Sequence, residues 1–296
     1  MIISVLLASL NSLVLRKFKN KSFKTPGDSF FFNGSMSLIW TFIMSLVFIF
    51  SKDSRFNPLA IIFGAVYGII LCLFLYFKNE SIAEGPVSLT SLIGNCAFIP
   101  ATFFGVIYAS ESISVFQIVG ILMMLFALFL CINPKKSGEP LTAKWFILCL
   151  SFFIAGGFIG MFYKVFGKSE AAADVNLMML SASAVSCILF FLFGLIINKS
   201  RKLAAPTVSR VALPYVLIAG VTGCAYIRLN VSLSALIPSP IFFPVANGGI
   251  VIITTLIGAF LFRERLSRTQ IWGILIGLLA LVTTGGGEAI YNLIFR

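Results

Sequence analysis

Two asparagines are the polar side chains of this sequence with the clearest capacity to bind a ligand. Asn95 and Asn247 lie in long apolar stretches, each beside a glycine, at nearly equivalent places in two similar halves of the chain. A side-chain amide both donates and accepts hydrogen bonds. In an apolar environment it either bonds to a neighbouring helix or lines a polar cavity. Both interpretations stay open, and the second makes the two residues candidates for substrate binding.

Two cations are also set within apolar stretches, and each has a tyrosine close by. They occur in Tyr163-Lys164 and in Tyr226-Ile-Arg228. Long basic side chains near helix ends commonly extend towards water, and this interpretation is favoured here. If the side chains point inward instead, they would bind a carboxylate or a phosphate. These four residues are therefore candidates for binding an anionic or zwitterionic substrate.

A third group of polar and aromatic residues lies in the first half of the chain. Asn11 and Asn33 are accompanied by Trp40, and hydrogen bonds between helices are the favoured interpretation. Tyr67 stands among small residues, where packing is favoured and lining of a cavity is the alternative. Asn11, Trp40 and Tyr67 join the candidate substrate-binding residues.

The residue types that support catalysis are poorly represented. The chain contains no histidine, and its six cysteines fall in apolar runs without the paired spacing of a metal site or disulfide framework. It also has no nucleophile elbow and no phosphate-binding glycine loop. We therefore predict that the protein is not an enzyme and binds no cofactor or metal.

The amino-acid composition indicates the class of protein to which these candidate residues belong. Hydrophobic residues make up 59% of the chain and charged residues 11%, and the apolar runs reach the roughly 20 residues that a helix needs to cross a bilayer. The runs are continuous in hydrophobicity and do not alternate, which favours helices over a barrel. The sequence predicts an all-α integral membrane protein.

Ten apolar segments predict ten transmembrane helices. A cleaved signal peptide at residues 1–15 is disfavoured, because the positive charges follow the apolar run. Prolines and glycines are expected to break the fourth helix near Pro100 and the ninth near Pro238-Ser239-Pro240 and Pro244. The predicted helices are Met1–Leu15, Phe30–Phe50, Pro58–Phe77, Pro86–Ala109, Ser114–Ile132, Trp145–Phe166, Asp174–Ile197, Leu213–Asn230, Pro240–Phe262 and Ser267–Gly285.

A ten-residue pattern occurs twice, 153 positions apart, at Glu111–Gly120 and at Glu264–Gly273. Glu, Ser, Gln, Ile and Gly recur in register, which indicates a duplication. Because five helices per copy is an odd number, the second copy must enter the membrane from the opposite side. We predict a first five-helix repeat over residues 1–133, a linker over 134–144 and a second, inverted repeat over 145–296.

Within the pattern, Ser114 with Gln117 and Ser267 with Gln270 fit a capping box that begins the fifth and tenth helices. The glutamate of each copy comes just after the preceding helix. A carboxylate near the positive end of the next helix is the favoured interpretation. An ion pair of Glu111 or Glu264 with loop arginines such as Arg263 or Arg265, which would act as a gate, is the alternative.

The net charge of +12 is an orientation signal, because it resides in the loops and not on a nucleic-acid-binding surface. Alternate loops hold 16 of the 22 lysines and arginines, which places both termini outside. We expect the lipid bilayer and a small-molecule substrate as partners, and no nucleic acid. The Gly273-x-x-x-Gly277 pattern allows close approach of a neighbouring helix or of a second protomer, so a homodimer is possible.

The repeated Glu-x-x-Ser-x-x-Gln-Ile-x-Gly motif, between the fourth and fifth helices of each half, resembles the drug/metabolite transporter superfamily. The likeness is to ten-helix proteins with two EamA-type domains, and it spans essentially the whole chain. It implies a metabolite exporter or exchanger of the plasma membrane with a central cavity between its halves. It also implies termini in the cytoplasm, which disagrees with the charge count.

These observations predict a secondary transporter that moves a small polar, amino-acid-like metabolite by alternating access, with efflux as the direction. The ten acidic residues all fall in loops or at helix ends, which disfavours a proton-coupled exporter of lipophilic cations and leaves coupling through Glu80 or Glu84 open. A carrier or flippase of anionic sugar-phosphate or lipid-linked metabolites is the alternative. A membrane scaffold without transport activity is the alternative of another class.

Overall fold

The computed structural model describes residues 1–19, 23, 25–51, 55–85, 87–131, 142–261 and 267–295. Regular secondary structure in these ranges is entirely helical. The longer helices are α1 (Ile2–Lys19), α2 (Pro26–Phe50), α3 (Pro58–Glu84), α4 (Val87–Asn95), α5 (Phe98–Ala109), α6 (Val115–Cys131), α7 (Ala143–Gly167), α8 (Val175–Ser200), α9 (Leu213–Leu236), α10 (Ser239–Leu261) and α11 (Arg268–Phe295).

Each of the ten predicted segments is helical, and several helices extend beyond the predicted ends. In the described part of the chain, eight segments of 20 to 29 residues are long and apolar enough to cross a membrane, and Ile2–Leu15 and Val115–Cys131 are shorter apolar helices. α3 continues to Glu84 and α9 to Leu236, because polar side chains do not by themselves stop a helix. The protein is an all-α integral membrane protein.

The fourth membrane segment is broken, as predicted, and the ninth is not. α4 ends at Asn95, and the chain turns through short-range bonds from the Ala97 amide to the Gly94 carbonyl (3.2 Å) before α5 begins. Pro100 then lies in the first turn of α5, where its missing amide proton costs no bond. α10 is continuous through Pro244, so the expected break there is wrong. Pro244 removes one amide donor, and the helix nevertheless continues through it. The prolines of Pro238-Ser239-Pro240 lie at the start of α10 and do not interrupt it.

The capping boxes of the repeated motif are present in both copies. The Gln117 amide donates to Ser114 Oγ (3.3 Å), and the Ser114 amide donates to Gln117 Oε1 (3.0 Å). The corresponding distances for Ser267 and Gln270 are 3.2 and 3.0 Å. The motif therefore fixes where α6 and α11 begin, as predicted.

The chain divides into two compact units that do not follow the copies of the repeat. Unit 1 comprises Leu73–Val165 and Leu233–Arg296, with Met1, and unit 2 comprises Ile2–Cys72 and Phe166–Ser232. The unit boundaries fall inside α3, near the end of α7 and inside α9. Each unit therefore draws helices from both halves of the sequence, and the division into two five-helix repeats stays a prediction.

In unit 1, α6 and α11 pack through equivalent positions of the two copies. A Cβ at Gly120 would lie 3.1 Å from the Ala280 carbonyl oxygen, and one at Gly273 would lie 3.0 Å from that of Ala127. Because early residues of one helix meet later residues of the other, the two helices are antiparallel. A reciprocal contact of this kind is what a two-fold axis between α6 and α11 predicts.

Also in unit 1, small residues bring α7 close to α5. A Cβ at Gly156 would lie 2.7 Å from Ala97 Cβ, and one at Gly157 would lie 2.8 Å from Pro100 Cγ. One turn further along, Gly160 faces Ala101. Small residues at four-residue spacing allow two helix backbones to approach closely. The same face of α7 continues to Lys164.

Unit 2 is built on contacts of α2 with α8, and of α1 with α2 and α9. The Gly27 amide of α2 donates to Asn198 Oδ1 of α8 (2.9 Å). Phe18 of α1 stacks on Phe32 of α2, with ring centroids 4.8 Å apart, and both belong to a buried cluster with Val216 of α9. The aromatic packing fixes α1, α2 and α9 side by side.

Candidate functional site

A buried ion pair lies in unit 1 at the end of α7. Lys164 is 3% exposed, and its Nζ donates to Glu111 Oε1 at 2.9 Å. Glu111 belongs to the loop between α5 and α6, and its side chain is 17% exposed. Two charges withdrawn from water need each other, because a lone buried charge costs several kcal/mol. The pair therefore ties α7 to the loop that contains the repeated motif.

The same two side chains bind the connection between α9 and α10. Lys164 Nζ also donates to the Ile237 carbonyl (2.8 Å), and Glu111 Oε2 accepts from the Ser239 amide (2.6 Å). Ser239 is the first residue of α10, so the carboxylate neutralises the positive end of that helix. The pair thus satisfies backbone groups on both sides of the α9–α10 turn.

Two backbone features of α5 make this arrangement possible. Ser110 ends α5 in the left-handed conformation (φ 52°), and the Glu111 amide bonds back to the Val106 carbonyl (3.0 Å), which turns the chain so that Glu111 follows the helix end. Gly105 leaves the space that α10 needs, because a Cβ there would overlap the Ser239 hydroxyl and lie 3.6 Å from Lys164 Cγ. The glycine is required by close approach.

The surroundings of Glu111 favour its ionised form. Burial alone would raise its pKa, but the hydrogen bond and charge of Lys164 and the hydrogen bond from the Ser239 amide outweigh burial and hold the pKa below its ordinary value. A carboxyl with a lowered pKa holds its proton less readily than a free one. Glu111 is therefore suited to a permanent ion pair more than to carrying a proton.

Two expectations from the sequence are corrected by this geometry. The favoured interpretation of Lys164, extension to the membrane surface, is wrong, because close helix packing directs its stem over Gly105 to Glu111. Glu111 does lie at a helix N-terminus, but the helix is α10 and not the adjacent α6. Glu264, Arg263 and Arg265 lie outside the described residues.

A second polar cluster, in unit 2, brings together two of the candidate residues. Asn11 Nδ2 of α1 donates to the Ala219 carbonyl (2.7 Å) and to Thr222 Oγ1 (3.2 Å) of α9. These are the interhelical bonds that the sequence favoured for Asn11. Trp40 of α2 borders the same place, because a Cβ at Gly223 would lie 2.8 Å from Trp40 Cζ2 and 3.2 Å from Asn11 Nδ2.

Arg228 lies deeper in its helix than the sequence indicated, since α9 continues for two more turns to Leu236. The side chain is half-buried, and its Nε donates to Asn176 Oδ1 of α8 at 3.0 Å. Among the residues that the structure describes, it has no acidic partner. The terminal N–H groups of the guanidinium make no hydrogen bond to the described residues, and binding of an anion by them stays a prediction.

The two mid-membrane asparagines do not make the interhelical bonds that one interpretation required. Asn247 Nδ2 donates to the Phe243 carbonyl of its own helix (2.9 Å). Asn95 is half-buried at the break after α4, and its side chain has no hydrogen bond to the described residues. Whether either amide contacts a substrate stays a prediction.

The remaining candidate residues are buried or half-buried. Tyr67 and Tyr163 are buried, and Tyr226 is half-buried on α9 between Gly223 and Arg228. The close approach allowed by Gly273 is used by α6, and that of Gly277 by Ile252 of α10. A homodimer therefore stays a prediction, and it would need other surface of α11.

Several residues of these clusters were missed from the sequence, namely Thr222, Gly223, Asn176 and Ile237, whereas Ser239 was named only as part of an expected helix break. They contribute backbone atoms or neutral side chains, and such residues are difficult to recognise as functional from the sequence of an apolar helix. Their partners are 52 to 211 positions away along the chain. Only the Glu111 of the repeated motif and the isolated Lys164 could have suggested a buried ion pair.

Comparison with known proteins shows two similarities. Residues 1–133 match the EamA-like transporter family. No curated protein sequence matches the chain. A crystal structure of a protein with 12% identical residues has a similar fold, with a TM-score of 0.74 over 100% of this chain and 97% of that one.

The match covers the first of the two predicted repeats, and the motif that begins α6 in this part begins α11 in the second. The structural similarity, at that level of identity, shows a shared fold alone. Together with the apolar helices, these findings place the protein in the membrane as a multi-pass protein. Residues 1–133 of the chain are thus similar to the EamA-like transporter family.

Proposed function

We propose that the protein is a secondary transporter that exports a small polar, amino-acid-like metabolite across the plasma membrane by alternating access. The similarity of residues 1–133 to a transporter family supports the general activity. The substrate class rests on one observation, which is the half-buried guanidinium of Arg228 without an acidic partner in the described residues. A cation in this position favours a carboxylate ligand, because an unpaired buried charge is costly.

The charge balance of the two candidate cations supports a singly charged carboxylate over a phosphate. A carrier of sugar phosphates would need both Lys164 and Arg228 to face the substrate. Lys164 is already neutralised by Glu111, so one cation is left for binding. A phosphate of charge near −2 would be incompletely compensated by one guanidinium. The anionic alternative is therefore second to the amino-acid-like substrate.

The scaffold alternative requires polar side chains that are fully satisfied by neighbouring helices. Asn11 fits this requirement, but Asn95 does not, and Arg228 uses only its Nε. Buried polar groups without partners cost about 1–3 kcal/mol each. A protein with only a structural role would gain by replacing such groups with apolar residues. Their presence supports a ligand-binding role.

Purified protein in liposomes provides the test. Vesicles are loaded with a panel of labelled amino acids, sugars, sugar phosphates and lipophilic cations. Efflux is compared with that from loaded vesicles that lack the protein. We expect efflux of at least one amino acid. Arg228→Gln should raise the KM about tenfold or more, because it removes a charge-assisted bond, and Arg228→Lys should retain part of the activity.

The outcomes separate the three hypotheses. Efflux of sugar phosphates alone would favour the anionic carrier. If no member of the panel moves faster than from vesicles without protein, transport of these classes is excluded and the scaffold is favoured. If Arg228→Gln transports amino acids with an unchanged KM, Arg228 is not the carboxylate site.

A further inference from the structure

The partner of Arg228 is neutral, which distinguishes this cation from the buried Lys164. Lys164 donates to the Glu111 carboxylate, whereas Arg228 Nε donates to the amide oxygen of Asn176 at 3.0 Å. A carboxylate partner compensates the charge of a cation, but an amide oxygen orients the cation and leaves its charge in place. Arg228 is thus held by a hydrogen bond with its positive charge still available.

The acid nearest to Asn176 in the sequence is bound by another residue. Asp174 lies two positions before Asn176, and its Oδ2 accepts from Asn57 Nδ2, just before α3, at 2.7 Å. In the described structure, Asp174 makes no ion pair with Arg228. All four residues belong to unit 2. The carboxylate closest to the partner of Arg228 therefore does not neutralise it.

The bond to Asn176 also determines which edge of the guanidinium is free. An Nε–H only donates, so the Asn176 atom that faces it must be the oxygen. Neither the Nη groups of Arg228 nor Asn176 Nδ2 donates to a described residue. The Nη1–Nη2 edge has two parallel N–H donors, which match the two oxygens of a carboxylate. The groups left for a ligand are all donors, so they favour an oxyanion over an ammonium group.

We propose that Asn176 is a positioning residue of the substrate site, which orients Arg228 so that its Nη1–Nη2 edge binds a carboxylate of the transported molecule through two hydrogen bonds. This inference rests on the proposed transport function and names the residue and the geometry that select the anionic group. Because Asn176 acts through Arg228, its replacement should weaken binding only while Arg228 is present. An acid in its place should pair with the guanidinium and exclude the anion.

Modification of arginines by phenylglyoxal tests the site without any transport assay. The reagent condenses with the two Nη groups, and mass spectrometry of the digested protein gives the rate at each arginine. Acetate is the probe for a carboxylate, and acetamide and chloride at equal ionic strength are the controls. Arg210 and Arg268 are exposed, so they serve as internal controls that acetate should not protect.

We expect acetate to protect Arg228 with saturation, and acetamide and chloride to leave its rate unchanged. In Asn176→Ala, half-maximal protection should need about tenfold more acetate, because the guanidinium is no longer oriented. Equal protection in Asn176→Ala and the wild type would overturn the positioning role. If Arg228 of the wild type is not modified, or acetate gives no saturable protection, the anion site is overturned, whether or not the protein transports anything.

The variant Asn176→Asp separates positioning from a structural role. Asn176 is the second residue of α8, where a carboxylate is favourable and can still accept from Arg228 Nε. We expect an unchanged or higher melting temperature and loss of acetate protection at Arg228. Thr269→Asp is the matched control, because Thr269 is the second residue of α11, and this variant should keep the protection. Full protection of Arg228 in Asn176→Asp would contradict the proposal.

Transport in vesicles provides a second, independent measurement. Asn176→Ala should raise the KM for a transported amino acid about tenfold. In an Arg228→Gln background the same replacement should leave the KM unchanged, because the group that it positions is absent. Additive effects of the two replacements would show that Asn176 does not act through Arg228. An unchanged KM in Asn176→Ala alone would overturn the positioning role and leave the transport function standing.

Discussion

At the scale of single residues, the buried pair of Lys164 and Glu111 connects α7 with the α5–α6 loop and with the α9–α10 turn. Removing one partner from a buried pair leaves an uncompensated charge, whereas removing both can be nearly neutral. The pair also satisfies the Ile237 carbonyl and the Ser239 amide. The effects of substituting Lys164 and Glu111 on the free energy of unfolding should therefore be strongly non-additive.

We predict this coupling from a double-mutant cycle with Lys164→Met and Glu111→Gln. Each single variant should lower the free energy of unfolding by about 3 kcal/mol, and the double variant by clearly less than the sum. The measurement is thermal or denaturant unfolding in detergent. The pair Lys144 and Glu84 is a matched control, because its side chains are 66% and 31% exposed and should couple by about 1 kcal/mol or less. Additive effects at Lys164 and Glu111 would refute the structural role.

The lowered pKa of Glu111 predicts a dependence of stability on pH. A carboxyl whose folded pKa is below its unfolded pKa stabilises the protein above the ordinary carboxyl range, and this contribution is lost as pH falls through the lowered pKa. The wild type should thus lose stability relative to Glu111→Gln between about pH 5 and the acid limit of the protein. Melting temperatures of both proteins across this range check the prediction. A constant difference between them would contradict it.

At the scale of the helices, small residues determine how closely α5, α7 and α10 approach. Gly156 and Gly160 let α7 lie against α5, and Gly105 lets the start of α10 lie against α5. Without a hydrophobic driving force between helices in lipid, such close packing is a main source of association. The ion pair forms because these three helices meet at the end of α5.

We predict that Gly105→Ala disrupts this meeting point. Its Cβ would overlap the Ser239 hydroxyl, so α10 must move away and the bond from the Ser239 amide to Glu111 must lengthen. The expected result is a loss of about 1–3 kcal/mol of stability. Gly285→Ala in α11 is the control, because nothing lies within 4 Å of its Cβ, and it should be neutral or slightly stabilising. Unfolding of the two variants under one condition makes the comparison, and equal stability would refute the proposed crowding.

At the scale of the whole molecule, the duplicated sequence determines the predicted topology. The antiparallel contact of α6 with α11 uses matching positions of the two copies, which is expected if the copies enter the membrane in opposite directions. If each copy has an odd number of helices, we expect the linker on one side of the membrane and both termini on the other.

We therefore predict that Ser137→Cys and Arg296→Cys, each in a background without the six native cysteines, are labelled from opposite sides of the membrane. Impermeant maleimide applied to intact cells and to inverted vesicles makes the measurement. Labelling of both positions from the same side would contradict the inverted repeats. The side of Arg296 also decides between the orientation given by the charge count and the one implied by the family.

The sequence by itself determined the class, the helices and the motif, because these depend on local properties. Apolar runs long enough to cross a bilayer leave few alternatives to helices, and a capping box is satisfied within four residues. The break after Asn95 was also foreseen from nearby glycine and proline. The break expected at Pro244 was wrong, because one missing amide donor did not interrupt α10.

Only the tertiary structure decided which polar side chains meet. Lys164 finds Glu111 across 53 positions, and Asn11 finds Thr222 across 211, by contacts between helices that no local pattern encodes. Lys164 was expected at the membrane surface, because its burial depends on Gly105 of another helix. The Trp40 Nε1–H, which has no hydrogen-bond partner among the described residues, likewise becomes apparent only when its neighbours are known. Hydrogen bonding in an apolar interior is decided by geometry between helices, and sequence supplies only the candidates.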